Sequence, residues 1–188
     1  MLRRFRVLAT VLALAGTVVG AQSSRWVTER PPPGFTGGFG EASCISCHIG
    51  NDVNAFGGSV QLAGVPARYV AGEAYVLTVV LQAEETSIAG FQISARHVDG
   101  AERGRNAGRL APLDDRVARS DSASISYLHQ SREGAETSNP NGAVWSFAWT
   151  APSGGGDVAF HLAANSGNAD NSPLGDLVYT HETTVAKR

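Results

Sequence analysis

Apolar side chains alternate with polar or small ones along several short segments between residues 75 and 164. The alternation is clearest in "YVLTVVLQ", "GFQISA", "SISYLHQ", "VWSFAWT" and "DVAFHLAA". A repeat of two residues is typical of β-strands, because successive side chains of a strand point to opposite faces. Helical spacing is nearly absent, and clusters of Gly, Pro, Asn and Asp separate the segments. The pattern predicts an all-β fold, an Ig-like antiparallel β-sandwich.

The alternation also predicts which side chains form the core. The aromatic face of segment 144–150 is better explained by a buried core than by a strip that binds aromatic ligands. In segment 157–164 the large apolar residues share one face, which turns His161 outward. In segment 124–130, His129 shares a face with Ile125 and Tyr127, and this face could belong to the core.

The first 21 residues have the features of a secretory signal peptide. Three arginines precede an almost entirely apolar run at 7–19, and Val19 and Ala21 stand at the −3 and −1 positions of a cleavage site. The Pro- and Gly-rich stretch that follows has no periodic apolar pattern. We therefore predict a signal peptide at 1–21, an irregular arm at 22–56 and the sandwich at 57–188. The protein is expected to be periplasmic or secreted.

Charge and hydropathy exclude several classes of partner. Without residues 1–21, 12 Lys and Arg stand against 17 Asp and Glu, which gives a net charge of about −5. Nucleic acid and anionic membrane surfaces are poor partners for such a chain. No later apolar stretch approaches the ~20 residues of a transmembrane helix, so no membrane span is expected in the mature chain. No constellation of catalytic side chains stands out, and we do not expect an enzyme.

The chain has two cysteines, and both fall in the motif "CISCH", followed at once by His48. In a C-x-x-C-H motif the two thiols, here Cys44 and Cys47, add to the haem vinyl groups, and the histidine becomes an iron ligand. Attachment of this kind takes place after export, which agrees with the signal peptide. The sequence therefore predicts one covalent haem c with His48 as the proximal ligand.

Three alternatives compete with haem attachment as explanations of the motif. A zinc site would need two further ligands close by, and none follows at suitable spacing. A thioredoxin-like redox pair would lie in a βαβ unit, which the pattern does not show. A disulfide between Cys44 and Cys47 would close too small a loop to stabilise much, although a disulfide or free thiols remain the main alternative to haem.

The second iron ligand is constrained by composition. Met1 is the one methionine of the chain and belongs to the predicted signal peptide, so the usual His/Met pair is excluded. The candidate metal ligands besides His48 are His129 first and His161 second, ahead of His97, His181 or an open site. The Asn- and Asp-rich segment 165–176 could also bind calcium, but it lacks the spacing of a calcium loop, and turn formation explains it more simply.

Four blocks of the sequence resemble a known family: "GGSVQLAGVPARYVAGEAYVLTVVLQ", "AGFQISAR", "VWSFAWTAP" and "VAFHLAANSGNADNSPLGDLVYT". Their order resembles the Reeler-type β-sandwich, and more closely the exported bacterial choice-of-anchor V domain proteins. The resemblance covers roughly residues 40–183 and implies an Ig-like fold. It also implies a C-x-x-C-H motif before the sandwich, and a histidine in a context comparable to that of His129.

Two functions remain open at this point. The first is an exported monohaem c-type cytochrome that transfers electrons to or from a redox partner protein that the sequence does not identify. The second is a non-redox adhesion or ligand-binding module, a role that Ig-like sandwiches commonly serve. In the second case the CISCH motif would be a small clasp and the histidines would be incidental.

Overall fold

The computed structural model describes residues 31–137 and 139–188, so the predicted signal peptide and residues 22–30 of the predicted arm lie outside the described part. This part contains one helical turn, α1 (Arg132–Ala135), a 3-10 turn at Cys44–Ser46, and ten strands. The strands are β1 (Gly58–Ala63), β2 (Arg68–Tyr69), β3 (Ala74–Ala83), β4 (Ile88–His97), β5 (Arg109–Pro112), β6 (Val117–Ser122), β7 (Ile125–Gln130), β8 (Gly142–Thr150), β9 (Val158–Gly167) and β10 (Leu177–Lys187).

The strands form two sheets that pack face to face. The four-stranded sheet has the order β1-β3-β8-β5, and the six-stranded sheet has the order β2-β10-β9-β4-β7-β6. All neighbours pair antiparallel except the short β2, which runs parallel to β10. The predicted all-β fold, an Ig-like antiparallel sandwich, is therefore confirmed. In the described residues no helix is long and apolar enough to cross a membrane.

Aromatic side chains fill the space between the sheets. The ring of Trp149 is fully buried and lies 4.9 Å from the ring of Phe160 and 5.6 Å from those of Tyr69 and Tyr75. Its Nε1–H donates to the carbonyl oxygen of Ala107 at 2.9 Å. The aromatic face of β8 is thus core, as its alternation predicted.

Strand β7 departs from one expectation. Leu128 belongs to the core cluster, whereas Tyr127 and His129 lie on the opposite face of the strand. The face of β7 that carries Tyr127 and His129, which the sequence allowed to be core, is therefore on the outer side of the six-stranded sheet. Tyr127 and His129 are nevertheless 3% and 2% exposed, because another part of the chain covers this face.

The covering segment is the arm that precedes β1. Nearly every residue of β4 is buried on both faces of the sheet, which a two-layer sandwich alone would not produce. The side chain of Gln92 binds the arm twice: its Nε2 donates to the carbonyl oxygen of Pro32 at 2.9 Å, and its Oε1 accepts from the backbone N–H of Phe35 at 2.7 Å. Further along, Gly38 lies so close to His161 that a Cβ there would approach the ring to 1.9 Å. The arm is thus a third layer on the six-stranded sheet.

Candidate functional site

The CISCH motif forms a tight turn at the end of this third layer. The backbone N–H groups of Cys47 and His48 both donate to the carbonyl oxygen of Cys44, at 3.1 and 2.9 Å. Cys44 is half-buried and Cys47 is exposed, and both are free thiols. Burial raises the pKa of the Cys44 thiol to about 12. The turn therefore presents two thiols of unequal reactivity beside the histidine.

His48 is held by a residue far away in the sequence. Its Nδ1 lies 2.5 Å from Oδ2 of Asp176, in the loop between β9 and β10. The Asp176 side chain is 7% exposed and that of His48 is 25% exposed. No other hydrogen bond to the ring is found within the described part of the chain, so Nε2 is without a partner there. The contact leaves one ring nitrogen available for a ligand.

A small pocket brings the three motif residues together. Its lining includes two prolines of the arm and two phenylalanines. It also includes three residues with side-chain amides, one each from β4, β7 and β9. The lining residues are Pro31, Pro32, Phe35, Cys44, Cys47, His48, Phe91, Gln92, Gln130 and Asn165. The pocket volume is about 60 Å³, far below the roughly 300–1,000 Å³ of typical ligand pockets. A group larger than a few atoms would extend out of it.

His129 lies beside this pocket without lining it. It pairs directly with Gln92, whose side chain forms part of the pocket wall. Directly paired residues of neighbouring strands have Cβ atoms about 4.5–5.5 Å apart. The His129 ring is buried, and its Nδ1 lies 2.7 Å from the carbonyl oxygen of Gln130. The structure thus places His129 on the strand next to the wall residue Gln92, directly opposite it.

His161 faces outward, as its position in β9 predicted, and the arm covers it. The ring of Phe39 stacks edge-on against it with centroids 4.7 Å apart, and Oε2 of Glu182 lies 3.6 Å from its Nδ1. Burial lowers the pKa of His161, and the Glu182 carboxylate acts in the opposite direction. His161 stands four residues along β9 from Asn165, the pocket residue of that strand. The two predicted distal candidates are therefore not brought together with His48 in the pocket.

The other two histidines lie elsewhere. His97, at the end of β4, lines a separate open groove of about 720 Å³ near the loop at residues 152–155. His181, on β10, lies with its Nε2 2.6 Å from the hydroxyl of Thr183. Neither residue lines the pocket of the CISCH motif.

A buried charge cluster fixes the arm and was not foreseen from the sequence. The Glu41 carboxylate accepts from Arg96, from the Tyr127 hydroxyl at 2.5 Å and from the Thr36 hydroxyl at 2.6 Å. The guanidinium of Arg96 also lies over the ring of Phe39, 5.2 Å from its centroid. Burial and the neighbouring Glu41 raise the pKa of Tyr127 to about 12. We call these five residues the arm anchor.

The Asn- and Asp-rich segment 165–176 forms turns stabilised by its own side chains. The backbone N–H of Asp170 donates to Asn168, and that of Ser172 donates to Asp170, at 3.0 and 2.7 Å. Asp176 instead contacts His48. Among residues 31–137 and 139–188, no three His, Cys, Asp or Glu side chains converge as a metal site.

The unequal burial of the two thiols has a measurable consequence. In folded haem-free protein, made in the cytoplasm without residues 1–21, we expect iodoacetamide to label Cys47 at least about tenfold faster than Cys44. The reason is that the thiolate is the reactive form, and burial disfavours it at Cys44. Mass spectrometry of labelled peptides measures both rates, and labelling in denaturant, where the rates should converge, is the control. Equal rates in native buffer would contradict the burial of Cys44.

No protein-family model and no curated protein sequence matches this chain. Solved structures do resemble it. The crystal structure of the Reelin-N domain of F-spondin is 15% identical over 77% of this chain and 95% of that one, with a TM-score of 0.50. The human F-spondin reeler domain (fragment 1) is 18% identical over 77% of this chain and 98% of that one, with a TM-score of 0.49. At such identities the likeness shows the fold alone, and the fold is a Reeler-like β-sandwich.

Proposed function

We propose that this chain is an exported monohaem c-type cytochrome that transfers electrons, with haem c bound to Cys44 and Cys47 and with His48 as iron ligand. One observation carries the proposal: the two thiols and His48 line one pocket, and Asp176 engages Nδ1 of His48 while Nε2 has no partner in the described residues. The signal peptide predicted from the sequence at 1–21 supports a periplasmic or secreted location. The resemblance to choice-of-anchor V domain proteins, which are exported, supports the same location.

The side chains of the pocket suit this group chemically. Two free thiols are what thioether attachment requires, and a neutral imidazole with a free nitrogen is a common iron ligand. Pro31, Pro32 and Phe35 of the arm provide apolar walls. The bound group would supply one-electron exchange at its iron. Because the pocket measures about 60 Å³, most of the macrocycle would lie outside it, where a redox partner protein could approach.

The second iron ligand is assigned to His129 before His161. His129 is the direct strand neighbour of the wall residue Gln92, whereas His161 stands further along its strand beneath Phe39. Ligation by His129 requires a local rearrangement of the wall, because the residue does not line the pocket. Single His129→Ala and His161→Ala variants, compared by their low-spin absorption spectra, distinguish the two assignments from an open site.

The test of the proposal is a pyridine haemochrome spectrum of the full chain exported in a host that matures c-type cytochromes. We expect a c-type spectrum that survives denaturation, and complete loss of covalent haem in the Cys44→Ala, Cys47→Ala double variant. The matched control is the Ser43→Ala, Ser46→Ala double variant, which changes the same turn without touching a thiol. Colourless wild-type protein with two titratable thiols would refute the proposal.

A second candidate function, a non-redox adhesion or ligand-binding module, is favoured by a different surface. The solvent face of β3 and β8 carries no charge, and its Val76 and Val144 are 61% and 57% exposed. Exposed apolar patches of this kind often mark interaction sites. If the haemochrome test fails, this sheet face becomes the surface to probe, by replacing Val76 and Val144 with Lys in binding screens.

A further inference from the structure

We propose that Asp176 is a positioning residue for the iron ligand His48: it fixes the ring with Nε2 available and strengthens the ring as an electron donor. The inference rests on the proposed haem attachment. Asp176 lies 128 residues from His48 in the sequence, so the contact is a product of the fold. A residue so placed would set the reduction potential of the protein without itself touching the iron.

The carboxylate of Asp176 is closely surrounded by its neighbours. Its side chain is 7% exposed, and its Oδ1 would lie 3.1 Å from a Cβ added at Gly167. A larger residue at position 167 would therefore press on the carboxylate. A buried carboxylate costs free energy unless it is hydrogen-bonded, and the 2.5 Å contact with His48 Nδ1 provides a bond. The position of Asp176 is thus fixed from both sides.

Backbone bonds hold the two segments in register around this contact. Ile49 N–H donates to the Pro173 carbonyl oxygen at 2.9 Å, and Gly175 N–H donates to the Ile49 carbonyl oxygen at 2.8 Å. The Asn51 side chain donates to the Gly175 carbonyl oxygen at 2.8 Å. A Cβ at position 50 would lie 3.1 Å from the Gly175 nitrogen, so Gly50 allows the close approach. The residues on both sides of His48 and Asp176 are therefore fixed relative to each other.

Hydrogen-bond chemistry then determines the state of the ring. An ionised carboxylate accepts and does not donate, so Nδ1 of His48 must carry the hydrogen. In the neutral ring Nε2 then holds the lone pair, which is the form that binds a metal. A carboxylate behind a ligating histidine fixes the ring orientation and strengthens the ligand. A stronger donor favours the oxidised iron, so Asp176 is expected to lower the reduction potential.

The first experiment is redox titration of holoprotein carrying Asp176→Asn, which keeps the side-chain shape and removes the charge. We expect the preference for oxidised iron to fall about tenfold, a rise of about 59 mV in midpoint potential for one electron. Asp170→Asn, an exposed change in the same loop, is the matched control and should leave the potential unchanged. An unchanged potential in Asp176→Asn would overturn the tuning role.

The second experiment needs no haem and keeps the two hypotheses apart. Nitrogen-15 spectra of the Cys44→Ala, Cys47→Ala protein should show His48 as the Nδ1–H tautomer, and Asp176→Ala should shift it towards the Nε2–H tautomer. Circular dichroism checks that both proteins are folded. Wild-type protein without covalent haem would refute the proposed function, whereas a His48 tautomer that does not respond to Asp176→Ala would refute the positioning role, with or without haem.

Discussion

Replacing Arg96 by alanine is expected to lower the free energy of unfolding by about 3–5 kcal/mol. The Arg96 and Glu41 side chains are 6% and 15% exposed, and removal of one partner leaves the other charge buried without compensation. The change also removes the contact of the guanidinium with the ring of Phe39. Urea unfolding followed by circular dichroism gives the stability, and hydrogen exchange of residues 36–41 reports whether the arm has detached.

The matched control for this prediction is Arg119→Ala on strand β6. Arg119 also pairs with an acidic residue, Asp121, at 2.9 Å, but the two side chains are 40% and 56% exposed. Exposed pairs contribute about 0–1 kcal/mol, because water screens them. Equal losses from Arg96→Ala and Arg119→Ala would show that burial of the arm anchor does not contribute to stability as argued.

The arm anchor also makes stability depend on pH. Burial by itself would raise the pKa of Glu41, but hydrogen bonds from Thr36, Tyr127 and Arg96, together with the Arg96 charge, lower it below its ordinary value of 4.5. A carboxyl whose pKa is lowered by folding stabilises the protein above that ordinary value, and the contribution is lost as the pH falls through the folded pKa. The difference in stability between wild type and Glu41→Gln should therefore shrink below about pH 4.5.

Replacing Trp149 by alanine is the second change with a large expected effect, a loss of about 3–5 kcal/mol in the free energy of unfolding. The indole is fully buried among three aromatic rings, so its removal leaves a cavity that the rigid sheets cannot close. The carbonyl oxygen of Ala107 also loses its donor. Urea unfolding measures the loss.

Two further variants separate these contributions. Trp149→Phe keeps most of the ring and removes the N–H, so it should cost less than Trp149→Ala, about 1–3 kcal/mol from the unsatisfied Ala107 carbonyl. Val144→Ala, on the solvent face of the same strand and 57% exposed, should change stability by no more than about 0.5 kcal/mol. A loss at Val144 as large as that at Trp149 would contradict the assignment of the two faces of β8.

The sequence predicted the sandwich because alternation is a local property of each strand. The core faces of β8 and β9 followed from single segments of about eight residues. The third layer could not be predicted in this way. In β4, the alternating polar residues Gln92 and Arg96 indicate a solvent face, yet both are buried because arm residues 55 to 60 positions earlier cover them. No local pattern encodes such a contact.

Sequence reasoning about the candidate site was limited in the same way. The motif identified Cys44, Cys47 and His48 because their chemistry depends on spacing within five residues. Asp176 was noticed for possible calcium binding and not as a partner of His48, since the loop between β9 and β10 is brought to the motif by the sheet. The sequence ranked His129 above His161 without information on which strand lies next to the pocket, and that ranking stays a prediction.

The contact between His48 and Asp176 also orders events in time. His48 of the CISCH segment is synthesised 128 residues before Asp176. The strands that the arm covers are also synthesised after the arm. Contacts between residues so distant in sequence form slowly, because a long loop must close first. Until the loop closes, the burial that raises the pKa of Cys44 in the folded chain is incomplete. For the proposed haem attachment, the topology therefore provides an interval in which Cys44 and Cys47 are accessible, and this interval ends when β10 joins its sheet.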